Sequence, residues 1–237
     1  MIKFRRYYTA FRRYKRSKGF GIHSPFAFNF VLKVLRERCH YYSYDLIHTK
    51  RWEASQLTSK NKERKKIISY KYAKMIFRIT CYFNPKSILQ IGTNHGIITS
   101  SMLSVSSSSH LYSYLGERNK SKIYDSLTEA FNPQISKYDD IVKAINDYNS
   151  SLTDSDKPFI LINHIEKENE LIVDTLSDAI EKEGVVVVCN INKDNNIKTI
   201  WKDTKSSMKH GMSFSNEKIG VIVGYKHLPL QHFSLWF

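Results

Sequence analysis

Gly92 and Gly96 close an apolar run, Ile88-Leu89-Gln90-Ile91, and precede a second apolar pair, Ile97-Ile98. The pattern reads as a buried strand, a tight turn through Thr93, Asn94 and His95, and the first turn of a helix. Gly92 would let the chain reverse at little steric cost, and Gly96 would let backbone approach a ligand closely. The free N–H groups at the helix start favour a carboxylate or phosphate. Such a corner either cradles a nucleotide-type cofactor or is only a connection, and two glycines do not separate these readings. Further polar residues follow other apolar runs: Glu117 just past Leu115, Asn163-His164 after Phe159–Ile162, and Cys189-Asn190 after four valines. His95 and His164, in loops after strands, could act as bases, the alternative for each being a solvated loop residue.

The elements that must position these residues alternate along the chain. Strands are expected at Ser87–Ile91, His110–Leu115, Gln134–Lys137, Phe159–Ile162 and Val185–Val188, with a final hairpin at Met212–Ser215 and Lys218–Tyr225. Helices are expected at Ile97–Val105, Asn119–Phe131, Asp139–Tyr148 (capped by Asp139), Glu166–Lys182 and Asn195–His210. Upstream, Ser24-Pro25 is a helix start, with serine as cap and proline in the first turn, for a helix running to about Cys39. Tyr41 to Lys62 reads as polar and irregular, with weak helical character near Asp45–His48, and Glu63 to Phe83 as a helix stopped by Asn84-Pro85. Alternation of this kind implies a parallel sheet covered on both faces, with ligands at the carboxyl ends of its strands. The apolar tail, Phe233, Leu235, Trp236 and Phe237, must bury itself in the core or in a dimer contact; the core is the preferred reading.

The 237 residues carry 37 Lys and Arg against 22 Asp and Glu, a formal charge of +15. Eight of those cations lie in the first twenty residues, ahead of the first acid, Glu37, and are interleaved with Phe4, Tyr7, Tyr8, Phe11 and Tyr14. Met1–Phe20 therefore suits an anionic partner, nucleic acid or a membrane surface. The rings also stand at helical spacing, and packing them on the protein with the cations in water is the preferred reading. A mean hydropathy of -0.43 and the lack of a long uncharged apolar run argue against a membrane span. No secretory signal follows the basic start. Three widely spaced cysteines with no CxxC pair indicate neither a disulfide framework nor a metal site, and a reducing cytoplasm is the simplest setting.

The layout resembles class I S-adenosylmethionine-dependent methyltransferases. More narrowly it is similar to a bacterial subgroup with an N-terminal Gly-Ile-His-Ser-Pro-Phe motif, here Gly21 to Phe26, and an Ile-Gly-Thr-x-x-Gly turn, here Ile91 to Gly96. The likeness runs over essentially the whole chain. It implies an α/β, Rossmann-like fold with a mostly parallel seven-stranded sheet and an antiparallel C-terminal hairpin. It divides the chain into a helical extension, residues 1–60, and a methyltransferase domain, residues 61–237. It also implies S-adenosylmethionine over the glycine turn, bound by Gln90, Gly92, Thr93, Asn94, Gly96 and Glu117. Asn163 and His164 would border the substrate as the catalytic pair, and no metal is expected.

Four positions where such enzymes usually carry acids hold Gln90, Leu115, Asn163 and Cys189-Asn190 instead. Leucine cannot accept from a ribose diol, though Glu117 could if the strand end shifts. Asp139 or Asp140 could face the adenine amine. Neutral Asn163, Cys189 and Asn190 offer little to Mg²⁺ or Ca²⁺, which prefer charged oxygens. Two functions are consistent with this pattern: methyl transfer to an unidentified acceptor, or a non-catalytic descendant that binds or assembles through its basic N-terminus.

Overall fold

A computed structural model describes residues 13–15, 18, 21–58, 67–92, 94–106, 108–116, 122–165 and 169–237. Strand β1 (Ser87–Ile91) lies inside the sheet and is buried from Ile88 onward. It pairs in parallel with β2 (His110–Tyr114) on one side and β4 (Phe159–Ile162) on the other. Strand β3 (Ile135–Tyr138) adds to β2, and β5 (Val185–Cys189) adds to β4, both in parallel. The unbroken valines of β5 are buried at every position, as a strand covered on both faces requires. Strand β7 (Ile219–Val223) then runs antiparallel between β5 and β6 (Met212–Ser215). The expected α/β class, the mostly parallel sheet and the reversed hairpin are all present.

An eighth strand, β8 (Gln231–Ser234), continues the sheet beyond β6 in parallel. It brings Phe233 opposite Phe214, their rings stacked at 5.1 Å. Leu235 and Phe237 behind it are buried, so those two tail residues complete the core, while Trp236 is 57% exposed. Strand β8 is hard to read in sequence because Gln231 and His232 face water and only one ring signals the buried side.

Helices cover the two faces separately. On one face lie α1 (Pro25–Phe30), α3 (Tyr70–Phe83), α4 (Ile97–Leu103) and α5 (Lys122–Thr128); on the other lie α6 (Ile141–Ser151), α7 (Asn169–Glu181) and α8 (Asn195–Ser207). Ser24 caps α1 as expected, its hydroxyl accepting from the Ala27 N–H. Helix α1 passes into a π-helical turn, Val31–Leu35, and ends there rather than at Cys39. Buried Arg78 of α3 terminates that turn. Its Nε donates to the Val34 carbonyl at 2.6 Å and its Nη2 to the Leu35 carbonyl at 3.2 Å, satisfying carbonyls that the helix end leaves open. Phe30 is fully buried, 5.0 Å from the Phe214 ring and 5.7 Å from Phe83. Its removal from water contributes about 2 kcal/mol. Residues 22–35 thus share the core of the sheet.

The segment expected to be irregular is instead a fifteen-residue helix, α2 (Ser43–Leu57). Only Tyr44, Ile47 and Ala54 of it are buried, too few for a clear helical pattern in sequence. Tertiary packing supplies what periodicity lacks: Tyr44 and Ile47 cluster with Phe77, Ile97 and Leu127. Helix α4 is consequently buried along its whole length, serines included. The cap of α6 is Asp140 rather than Asp139, its Oδ1 accepting from the Val142 and Lys143 N–H groups.

Candidate functional site

The glycine corner is built as its sequence implies. Gly92 has φ +79°, and the following short turn, Asn94–Gly96, holds His95 at φ +55° and Gly96 at φ +83°. The Gly92 N–H donates to the Tyr114 carbonyl at 3.1 Å, and the Asn163 N–H donates to the Ile91 carbonyl at 2.8 Å. Those bonds draw the loops after β2 and β4 against the end of β1. A Cβ at Gly92 would stand 2.7 Å from the His164 backbone N and O, so glycine is required by contact as well as by φ.

Gln90 points into the core. Its side chain is fully buried, with Nε2 donating to the Gly92 carbonyl at 3.2 Å and Oε1 accepting from the Thr99 hydroxyl at 2.8 Å. The Tyr124 hydroxyl donates onward to Ser113 at 3.2 Å. A network across β1, α4, α5 and β2 therefore holds the turn from below. A neutral amide suits that role because it donates and accepts together, as a carboxylate cannot.

At the ends of β4 and β5, buried Asn163 is gripped by Asn190, whose Nδ2 donates to the Asn163 carbonyl at 3.1 Å and to its Oδ1 at 3.0 Å. Asn190 reaches it from a left-handed conformation, φ +61°. The next residue, His164, is 45% exposed and places Nδ1 3.0 Å from Asp194 Oδ2. A carboxylate only accepts, so Nδ1 carries a proton in this pair, and in the neutral ring the lone pair is left on Nε2. Asp194 is itself held in place: its Oδ1 caps α8, accepting from the Asn196 N–H at 2.9 Å.

The donor set does not fit a divalent metal. Asn163 and Asn190 bond each other and Cys189 is a buried thiol, so these three strand-end residues offer no carboxylate. Among the described residues no cluster of three His, Cys, Asp or Glu side chains is placed to hold one. The corner keeps Gly92 and Gly96 at positive φ. Leu115 is buried and apolar where a ribose acceptor was expected. Thr93 and Glu117 lie outside the described residues, as do Met1–Arg12 of the basic start.

The structure thus brings Gly92, Asn163 and His164 together and turns Gln90 away. The residue that sequence reading missed is Asp194. Its place before Asn195 signals a helix cap, but its second oxygen meets His164 only because β4 and β5 are neighbours.

No protein-family model and no curated protein matches this sequence. Solved structures do resemble it. The O-methyltransferase TomG from Streptomyces achromogenes, solved with SAM, superposes with a TM-score of 0.54 at 12% identity, over 90% of this chain and 97% of that one. An O-methyltransferase from Bacillus cereus, solved with SAH, gives 0.52 at 14% identity, over 82% and 96%. The SAH-bound Podospora anserina methyltransferase PaMTH1 gives 0.53 at 10% identity, over 85% and 96%. At these identities the likeness establishes the fold: this chain has the Rossmann-like architecture of those methyltransferases.

Proposed function

We propose that this chain is an S-adenosylmethionine-dependent methyltransferase that acts, without a metal, on an acceptor whose nucleophile must lose a proton, such as a hydroxyl. The observation that carries the reading is the His164–Asp194 pair at the carboxyl ends of β4 and β5, beside the glycine corner. Two of the named structural relatives are O-methyltransferases solved with SAM or its product SAH, which supports the choice of cofactor.

When bound, S-adenosylmethionine supplies an activated methyl group. The chain's own part is positioning and proton removal. The corner from Gly92 to Gly96, with Thr93, Asn94 and Glu117, would hold the cofactor, and Gln90 holds the corner. The backbone of Gly92 seats the His164 backbone, which aims the imidazole. Asp194 keeps the proton on Nδ1, so Nε2 can accept one from the acceptor as its new bond forms. Asn163, fixed by Asn190, would border the acceptor. Cys39, Cys81 and Cys189 are free thiols, which supports a reducing, cytoplasmic setting.

Calorimetric titration of the full chain with S-adenosylmethionine and S-adenosylhomocysteine tests the reading. Saturable binding of both, unchanged by His164→Ala, is expected. Absence of heat at millimolar ligand overturns it and leaves a methyltransferase fold without the cofactor.

A further inference from the structure

A cleft of ≈ 460 Å³ opens between the π-helical turn, the start of α3 and the last two residues of the chain. Its wall is basic: Arg36, Arg38, Lys71, Lys74 and buried Arg78 all line it. Some lysines elsewhere pair with acids, as in Lys86 with Asp156, Lys137 with Asp125, Lys157 with Glu183 and Lys209 with Glu181. Among the described residues no carboxylate lies within ion-pair distance of Arg38, Lys71, Lys74 or Arg78. Glu37 lines the same cleft, but one of its oxygens is taken by the backbone N–H groups of Arg38, at 2.6 Å, and Cys39, at 2.8 Å.

The charges are held rather than loose. Arg78 is fixed by the Val34 and Leu35 carbonyls and by the Tyr44 hydroxyl at 3.0 Å. The Lys74 ammonium stands over the Tyr70 ring at 4.4 Å and the Tyr44 ring at 4.9 Å. Partial burial, then the charges of Lys218, Arg36 and Arg78, hold the Lys71 ammonium below the usual lysine range. Preorganised like charges of this kind are relieved by an anion.

The rest of the wall is aromatic and apolar. Trp236 is 57% exposed and Tyr14 is 44% exposed, with Leu35 and Phe237 beside them. Asn216 secures this side, donating to the Phe237 carbonyl at 2.8 Å and contacting the Tyr72 hydroxyl at 3.3 Å. The volume is that of a small-molecule site.

We propose that this cleft binds a phosphate-bearing ligand with a planar ring, of mononucleotide size, its phosphates on Arg38, Lys71 and Lys74 and its ring on Trp236. Arginine and lysine provide charge-assisted bonds to phosphate, and an exposed indole provides a stacking face. The same chemistry is offered by a free nucleotide and by the terminal nucleotide of an RNA strand. The assignment stands apart from the methyl-transfer reading.

The test is titration of the full chain with uridine 5′-triphosphate, inorganic pyrophosphate and a uridine dodecamer, at low and moderate salt. Uridine is chosen because it lacks the adenine of S-adenosylmethionine. Arg38→Glu, at an exposed position, is the main variant; Lys71→Glu and Trp236→Ala are the others. S-adenosylhomocysteine binding and thermal melting report the rest of the fold. Uridine triphosphate is expected to bind one per chain, weaken with salt, and lose about tenfold or more in affinity in each charge-reversal variant. Trp236→Ala is expected to weaken the triphosphate but not pyrophosphate. A preference for the triphosphate over the dodecamer assigns a free nucleotide; one dodecamer per chain, bound at least as well and equally sensitive to Arg38→Glu, assigns a strand end. Absence of binding by all three probes at millimolar concentration overturns the proposal. Binding unaffected by both charge reversals in folded protein does the same.

Discussion

His164 Nδ1 and Asp194 Oδ2 lie 3.0 Å apart, joining the loop after β4 to the cap of α8. The two oxygens of Asp194 do different work: Oδ1 holds the helix start and Oδ2 sets the imidazole tautomer. Asp194→Asn separates them. Asparagine is as good a cap as aspartate, so the variant is expected to melt within about 1 kcal/mol of the parent. The fixed Nδ1–H tautomer of His164 is expected to be lost, read from imidazole ¹⁵N shifts. Retention of the parent tautomer in the variant would show that Asp194 does not control it.

Gly92→Ala is expected to be strongly destabilising. It places a side chain in the left-handed region, at φ +79°, and puts its Cβ 2.7 Å from the His164 backbone. Conformational strain and overpacking together come to about 2–4 kcal/mol. Urea unfolding measures it, and a loss below about 1 kcal/mol would mean that the loop after β4 yields. Because the clash is with His164, cofactor binding and the histidine tautomer are expected to change in the same variant.

Restoring an acid at the end of β1 is expected to harm this protein. In Gln90→Glu a buried carboxylate would face the Gly92 carbonyl to which Gln90 now donates. Burial raises a carboxyl's folded pKa above its unfolded value of about 4.3. The folded state then prefers the neutral acid, so the variant is least impaired below about pH 4 and loses stability as pH rises above it, by on the order of 3 kcal/mol at neutral pH. Unfolding at about pH 4 and at neutral pH tests the sign; equal losses at both would contradict it.

The loop before β4 carries an opposite dependence. Asp156 accepts from the Thr153 hydroxyl at 2.6 Å and pairs with Lys86 at 3.1 Å. The Thr153 hydroxyl first, and then Lys86, hold its carboxyl down at about 2. A depressed folded pKa stabilises above the unfolded value and is lost as pH falls. Asp156→Asn is therefore expected to lower the melting temperature at neutral pH, with the difference closing as pH falls from about 4 to about 2. A difference that persists unchanged at acid pH would remove Asp156 from the acid response.

Much of the architecture was legible because it rests on local pattern. The four valines of β5, the run Ile88–Ile91 before Gly92, and Ser24-Pro25 each carry a period or a cap that needs no partner to be read. The resemblance to class I methyltransferases led to the same fold. Helix α2 was legible only as weak helical character near Asp45–His48, because only three of its fifteen residues are buried and its order comes from packing on α4. Strand β8 was not legible, because an edge strand half in water has no clean alternation. At the site, Gln90 lies at the expected turn, with its side chain bonded to Gly92 and Thr99. Consecutive strand residues face opposite ways, and only the stacking of α4 and α5 decides which face receives a buried network.

The sequence by itself determined the alternating α/β order, the buried central strands and the glycine corner, since burial period and backbone freedom are properties of a few neighbouring residues. The tertiary structure alone decided what those parts meet. Asp194 reaches His164 across thirty positions, Gln90 turns down to Thr99, and Arg38, Lys71 and Trp236 gather around one cleft. Such meetings depend on strand order and on which face each helix covers, and those are set by the packing of the whole chain.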